Sequence, residues 1–378
     1  MTSEIKISRG MRDVHFDRTR SSYIDGRNGV LLYRGYNIHA LAERSNYEET
    51  AYLLLFGELP TSAQLAEFDA SLKAARRIPP KITGIIETIK SGHPMDVLRT
   101  AVSALSAFDP ESDDNALDAT RRKGIRLCSQ VPTIVMTHHA LREGREPVPP
   151  SDTLSHAANF LYMFTGEEPG DDAAALFDRD FVLHADHGSN ASSFTARVVT
   201  GTTAGIHGAI AAAIAALAGP LHGGAAEGVM KMALEIGDPA NAAAYVKREQ
   251  AARRPIMGFG HAVYKSEDPR ARHLREGVRQ LAEERGDPKW YSILEAVVEV
   301  MSPYTRRGIH PNVDFYAGVI YYLVGFPEDM FVPIFAIGRM PGWTLQILEQ
   351  WENNILLRPR LVYTGPDERE YVPIDQRG

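Results

Sequence analysis

Apolar and polar positions follow two different rhythms along the chain. Near the start, SSYIDGRNGVLLYRG (21–35) has turn signals at Asp25-Gly26 and Asn28-Gly29, then the strand-like run Val30 to Tyr33. From Asn46 onward, apolar residues recur at helical spacing. LPTSAQLAEFDASLKAARR opens with a capping box, Thr61 with Gln64; Pro79-Pro80 starts a further segment and PMDVLRTAVSALSAF another. Longer amphipathic helices are predicted at about 115–142 and 151–165, with two more on either side of Thr200-Gly201. Period-two alternation is nearly absent from the middle of the chain, and so is the strand–helix alternation of a parallel sheet. The pattern predicts a mainly α fold with a small β-rich N-terminal segment, in which Ala209–Ala218 is a close-packed buried helix.

Composition narrows the class. A chain of 378 residues, 44% apolar and 24% charged, has ample core for two domains or one large one and is not disordered as a whole. A net charge of −7 argues against a general binder of nucleic acid or anionic membrane. The single cysteine, Cys128 in IRLCSQVPTIV, removes any intramolecular disulfide framework and reads as a buried thiol in a reducing cytoplasm. GAIAAAIAALAGPL and FYAGVIYYLVGF are too short to span a bilayer, and MTSEIKISRGMRDVHF has no apolar core of a signal peptide. A cytoplasmic protein is expected. One stretch departs from the overall charge: Lys247 to Arg279 holds nine Lys/Arg against four Asp/Glu, suiting either a solvated helix face or an anionic ligand with phosphates.

Four stretches could carry chemistry. In LHADHGSNASSFTARVV, His184, Asp186 and His187 precede a helix entry at Asn190; a metal site would need further ligands, and no HExxH or Cys-rich partner exists. GPLHGGAAEGV puts His222 at a helix break, either as a turn residue or as a ring aimed into a cleft; no GxSxG elbow accompanies it, which disfavours a serine hydrolase. RRPIMGFGHAVYKSEDPRAR lacks the third glycine of a dinucleotide fingerprint but supplies His261, Lys265, Arg270 and Arg272. In HPNVDFYAGVIYYLVGF, Asp314 is either an N-terminal helix residue or, in a dry cleft, a base of raised pKa. Two histidines in glycine-flanked loops, an aspartate and several arginines suit deprotonation of a weak carbon acid beside a carbonyl, with anionic groups held by the arginines.

LHADHGSNASSFTARVV, GPLHGGAAEGV, GFGHAVYKSEDPRAR, PNVDFYAG and FAIGRMPGW…LEQWENNILLRPRLVYTGP, in this order, resemble the citrate synthase family over nearly the whole chain, as does the opening GMRDV…DGRNGVLLYRGYNI. The resemblance implies a helical homodimer of closing domains. Residues 1–222 would form the first part of a large domain, 223–325 a small domain, and 326–378 the return to the large domain and a C-terminal arm. It implies Claisen-type condensation of acetyl-CoA with oxaloacetate and hydrolysis of citryl-CoA to citrate and CoA, with no permanently bound cofactor and no metal. His222 resembles the donor to the thioester oxygen, Asp314 the base for the methyl proton, and His261 the group polarising the ketone. His187, Arg270 and Arg339, with His222 and His261, resemble oxaloacetate ligands, and Arg358, with Arg360 close by, an arginine given across the dimer interface. Lys265, Gly258 and Gly260 fall where coenzyme A would bind, and the glycines after His222 would let the thioester approach closely. Two departures stand out: Leu345-Gln346 occupy the places of an Ala-His pair, bearing on the support of Arg339, and Tyr264 falls where some relatives have an arginine near coenzyme A. Two alternatives stay open, a 2-methylcitrate synthase using propionyl-CoA and a catalytically silent helical homologue.

Overall fold

A computed structural model of the chain describes residues 7–11 and 14–377; Arg12 and Asp13 of the opening GMRDV stretch lie outside the described residues. The only sheet among these residues is an antiparallel one of three short strands, β1 (Ser22–Asp25), β2 (Val30–Tyr33) and β3 (Tyr36–Asn37), in the order β1-β2-β3. Ser22 stands opposite Tyr33 and Asp25 opposite Val30, so the turn is 26–29, within the predicted DGRNG.

The rest is helical. α1 (Ile38–Arg44), α2 (Tyr47–Phe56), α3 (Ser62–Ala74) and α5 (Pro94–Leu105) begin where the side chains of Asn37, Asn46, Thr61 and His93 accept a free amide of the first turn. The Thr61–Gln64 box forms in both directions, and α4 (Pro80–Thr88) starts on its proline. α6 (Leu117–Arg142) fills the predicted 115–142 segment. α7 (His156–Thr165) starts later than the predicted 151: Ser151 Oγ accepts from the amides of Thr153 and Leu154, a turn that withholds these residues until Ser155 caps the helix. α8 (Asp171–His184), α9 (Ala191–Gly201) and α10 (Ile206–Leu217) follow; the Ala-rich segment buries Ala209, Ile210, Ala213, Ile214 and Leu217 on one face but leaves Ala215 and Ala218 exposed, so it is a half-buried helix and not a fully buried one.

α11 (Ala225–Ile236), α12 (Ala242–Ala251), α13 (Ala271–Glu284), α14 (Lys289–Met301) and α15 (Asp314–Val324) pack chiefly on one another. α16 (Phe331–Glu352) then returns to α6, α8, α9 and α10 and is buried almost from end to end. Beyond it, residues 353–377 form an exposed, irregular segment carrying Ile355, Leu361, Tyr363 and Tyr371 into solvent. No helix among the described residues is long and apolar enough to cross a membrane. Cys128 is buried in α6, and that burial pushes its thiol up to about 12, so it stays protonated and inert.

The contact that matters for the site is α16 against the end of α8. A Cβ on Gly338 would stand 3.0 Å from His184 Cβ, and one on Gly342 would stand 2.2 Å from the Ala185 carbonyl oxygen. Four residues apart, the two glycines form one flat stripe on α16. Arg339, between them, is thereby brought against the backbone of α8. A Gly342→Ala protein should unfold at lower denaturant concentration, losing roughly 1–3 kcal/mol through overpacking. Urea denaturation followed by circular dichroism measures this; an unchanged midpoint would show that the contact yields at no cost.

Candidate active site

The loop 185–190 between α8 and α9 carries His187 and is held from three sides. Tyr33 of β2 accepts the Asp186 amide at 3.3 Å and donates to the Leu183 carbonyl at 3.1 Å, while Ser22 of β1 donates to the Asp186 carboxylate. Asn190 caps α9 by accepting from the amides of Ser192 and Ser193. Ser193 Oγ reaches back to the Gly188 carbonyl at 3.0 Å. Within this frame His187 is buried, its Nε2 lies 3.1 Å from the Tyr264 hydroxyl, and its ring meets the His261 ring edge-on with centroids 5.2 Å apart. Burial, then the charges of Arg270 and a protonated His261, hold its pKa well below the usual histidine range.

His261 lies in the 258–267 loop. Its Nδ1 accepts from the amides of Val263 at 3.0 Å and Tyr264 at 3.2 Å. Amides only donate, so Nδ1 carries the lone pair and Nε2 the hydrogen. Burial and the nearby Arg270 charge lower its pKa to about 4, keeping the ring neutral at ordinary pH. Arg270, at the entry to α13, forms a two-bond fork with Asp268, Nε to Oδ1 at 3.0 Å and Nη2 to Oδ2 at 2.8 Å. Burial opposes both charges, yet each holds the other ionised: Arg270 is raised and Asp268 lowered. Asp268 Oδ2 also accepts the Val313 amide at 3.2 Å, which ties the loop to the first residue of α15, Asp314.

Asp314 is the first residue of α15, whose N-cap, Val313, offers no side-chain capping bond. Its carboxyl is half-buried, and burial raises its pKa against the opposing pull of His184 and Arg270. Arg339 is buried, donates from Nε to the His184 carbonyl and stacks over Phe335 at 4.7 Å. Burial lowers its pKa to about 10, with the Asp186 carboxylate pulling the other way. His222, in the turn between α10 and α11, presents Nε2 to the Ser192 amide at 3.3 Å and the Ser192 hydroxyl at 2.9 Å. The amide again fixes Nε2 as acceptor and leaves the hydrogen on Nδ1. Trp343 of α16 donates to the same hydroxyl at 3.0 Å. Burial, then the Arg339 charge, lowers His222 to about 4.

The structure thus brings His187, His222, His261, Arg270, Asp314 and Arg339 into one electrostatically coupled set. Of the other expected residues, Lys265 borders the set, with its Nζ 3.5 Å from the His261 carbonyl, while the C-terminal arginines lie outside it. Lys265 and Arg358 are exposed, Arg358 and Arg360 on the C-terminal segment. Gly258, at φ +75°, has no room for a side chain because a Cβ would stand 2.7 Å from both Phe315 and Val229, whereas nothing lies within 4 Å of one on Gly260. Gly223 likewise meets the Leu217 carbonyl, at 2.3 Å from a built Cβ, so its lack of a side chain serves the turn itself. Tyr264 is buried with its hydroxyl against His187, and Gln346 serves Arg197 and Ser21, not Arg339. No group of three or more metal-ligating side chains occurs among the described residues, and His184 Nδ1 is occupied by the Asp180 carbonyl at 2.9 Å.

Asp268, Ser192 and Trp343 are partners of the site that the motifs do not pick out, and Tyr264 is noted there only for the coenzyme side, not as the neighbour of His187. Asp268 stands two residues before Arg270 and could have been read as its counter-ion; Ser192 and Trp343 reach His222 only through tertiary packing.

A set of neutral, donor-oriented imidazoles, a carboxylate of raised pKa and buried guanidinium groups belongs to enzymes that form and use an enolate beside bound carboxylates. Residues 10–360 match the family model described as citrate synthase, C-terminal domain. The chain is 43% identical to the citrate synthase of Deinococcus radiodurans over 98% of its own length and 99% of that protein. It is 42% identical to 2-methylcitrate synthase 1 of Corynebacterium glutamicum over 99% of its length and 100% of the relative. A ternary complex of citrate synthase from Thermoplasma acidophilum with carboxymethyl coenzyme A and oxaloacetate superposes with a TM-score of 0.93 at 31% identity, covering 98% of this chain and 100% of that one. The chain belongs to the citrate synthase family, transferase-type enzymes with this mainly helical fold.

Because His222 and His261 release protons on folding, the unfolded chain binds more protons between about 4 and the unperturbed 6.5. Stability is therefore expected to be full above pH 6.5 and to fall as pH drops towards 4. Buried His139, His156 and His207, all depressed, act in the same direction and outnumber Asp178, whose carboxyl burial raises to about 7 and which therefore costs stability as pH rises. Urea midpoints measured from pH 7.5 to 4.5 check this; a flat profile would overturn the protonation assignment.

Proposed function

We propose that this chain condenses acetyl-CoA with oxaloacetate and hydrolyses the resulting citryl-CoA to citrate and CoA. The observation that carries the reading is the pair of fixed tautomers: backbone amides occupy His222 Nε2 and His261 Nδ1, leaving one N–H donor on the far side of each ring. In this reading Asp314 takes a proton from the acetyl methyl group while the His222 Nδ1–H meets the negative charge growing on the thioester oxygen. Neither step is easy alone, since a thioester methyl is a very weak acid; base and oxyanion donor must act together. The enolate carbon attacks the ketone carbon of oxaloacetate, whose oxygen becomes an alkoxide facing the His261 Nε2–H. Water then cleaves the thioester.

Arg270 and Arg339 would hold the oxaloacetate carboxylates. Arg270 spends Nε and Nη2 on Asp268, which fixes the plane of the fork and leaves Nη1 for the substrate. His187 would complete the pocket. Lys265, Gly258 and Gly260 are assigned to the coenzyme A side, and Arg358 to the site of a second copy in a homodimer, consistent with the exposed apolar residues of the C-terminal segment. Residues 223–325 would move as a small domain against the remainder, excluding water and strengthening each electrostatic contact. A cytoplasmic setting and a place in the tricarboxylic acid cycle belong to the same reading.

The similarity to 2-methylcitrate synthase 1 supports a second acyl donor, propionyl-CoA, one methylene larger. A catalytically silent homologue is disfavoured, because each chemically needed side chain is present.

Steady-state release of CoA thiol with oxaloacetate tests the reading. The kcat/KM for acetyl-CoA should exceed that for propionyl-CoA by roughly 10- to 200-fold, the span that one methylene commands. A reversed ratio would reassign the acyl donor, and no release from either would overturn the condensation reading. Asp314→Asn should lower kcat by about 100-fold or more while oxaloacetate still binds by calorimetry; wild-type turnover would remove Asp314 as the base.

A further inference from the structure

The β1–β2 hairpin touches both histidine loops of the site, although the chemistry proposed above gives it no part. Through Ser22 and Tyr33 it holds Asp186, the neighbour of His187. At its closed end the turn lies on the 263–267 segment, some 240 residues away in sequence. The Lys265 amide donates to the Gly26 carbonyl at 2.7 Å, and Ser266 Oγ donates to the same oxygen at 3.2 Å. The approach is too close for side chains: a Cβ on Gly26 would stand 2.3 Å from the Val263 carbonyl oxygen, and one on Gly29, at φ +65°, would stand 3.0 Å from that of Glu267. The turn is shaped from within, since Asp25 accepts from the amides of Arg27 and Asn28 and from the Asn28 side chain.

These contacts converge on one peptide. The Val263 carbonyl faces Gly26. In a trans peptide the carbonyl and the following N–H point in opposite directions, and that N–H, on Tyr264, donates to His261 Nδ1. We propose that the β1–β2 hairpin is a positioning element for the two histidines: it registers the His187 loop against the His261 loop, and Gly26 acts through the Val263–Tyr264 peptide to hold the His261 ring and its tautomer. The inference rests on the role given to His261 above. It accounts for two otherwise unexplained glycines in DGRNG, as close-approach sites, and for the attachment of a small sheet to a helical protein.

The test compares Gly26→Ala with Gly35→Ala. Gly35 belongs to the same β segment, has φ +92° and has nothing within 4 Å of a built Cβ, so its substitution strains the segment without touching the loop. Both proteins should keep their helical content. Gly26→Ala should lower kcat/KM for oxaloacetate by about 100-fold, the loss that a displacement of about 1 Å can cause. It should also shift the ¹⁵N signals of the His261 ring away from a hydrogen-bonded Nδ1 acceptor, whereas Gly35→Ala should leave both readouts within twofold or unmoved. Wild-type kcat/KM with unmoved His261 signals in Gly26→Ala, or an equal loss in Gly35→Ala, would overturn the proposal. Should Gly26→Ala fail to fold, Asp25→Ala decides, because it loosens the turn without adding bulk. A raised KM for oxaloacetate at unchanged melting temperature supports the positioning role, and an unchanged KM overturns it. If the wild-type protein releases no thiol, the functional reading fails, while the ring signals still report on the hairpin.

Discussion

The site depends on keeping positive charge in a place that water scarcely reaches. Arg270 achieves this with Asp268, whose carboxylate accepts two parallel hydrogen bonds and keeps both groups ionised despite their burial. The same carboxylate accepts the Val313 amide, so the ion pair also fixes the start of α15, and hence Asp314. Removing the carboxylate would leave a guanidinium group buried without a partner and free the start of the helix that carries Asp314. Arg339 lacks such a counter-ion: it has the His184 carbonyl, the Phe335 ring and a more distant Asp186, and its depressed pKa registers the difference. A pocket with one compensated and one under-compensated arginine is suited to an anionic group that completes the balance at Arg339 on binding.

The histidines follow from the same constraint. In a buried pocket already holding two guanidinium groups, a third positive charge is unfavourable, so His187, His222 and His261 are all held neutral. A neutral imidazole has two possible hydrogen positions, and at His222 and His261 backbone amides remove the choice. The consequence is a weakly acidic N–H at a fixed place, which in the proposed reaction would stabilise developing oxyanion charge without giving up its proton prematurely. Side-chain identity supplies the imidazole; the local backbone decides which nitrogen donates.

Glycine serves this arrangement by permitting close contact more than by adding flexibility. Gly338 and Gly342 let α16 lie against the end of α8, which brings Arg339 to the His184 carbonyl. Gly258 makes room for Phe315 beside Asp314, and Gly26 makes room for the Val263 carbonyl behind His261. Each is set where two backbone segments distant in sequence meet, and each has a neighbour among the groups assigned to catalysis.

Helices and their starts were legible in the chain because they arise from local chemistry: the Thr61–Gln64 box, the Pro80 start and the strand Val30–Tyr33 all form as their residues dictate. The 151–165 segment was misjudged at its beginning for an equally local reason, the Ser151 turn that competes with the helix. The candidate residues of the site were legible through their motifs, as was the suitability of such a set for carbon-acid chemistry. Their states were not. That Asp268 serves Arg270 and α15 together, that Tyr264 meets His187, and that Gln346 serves Arg197 all depend on contacts between distant segments. Sequence by itself determined which ionisable groups this protein possesses and which helices carry them. Only the tertiary structure decided their protonation and direction, because desolvation and hydrogen-bond partners belong to the packed pocket and not to any stretch of chain.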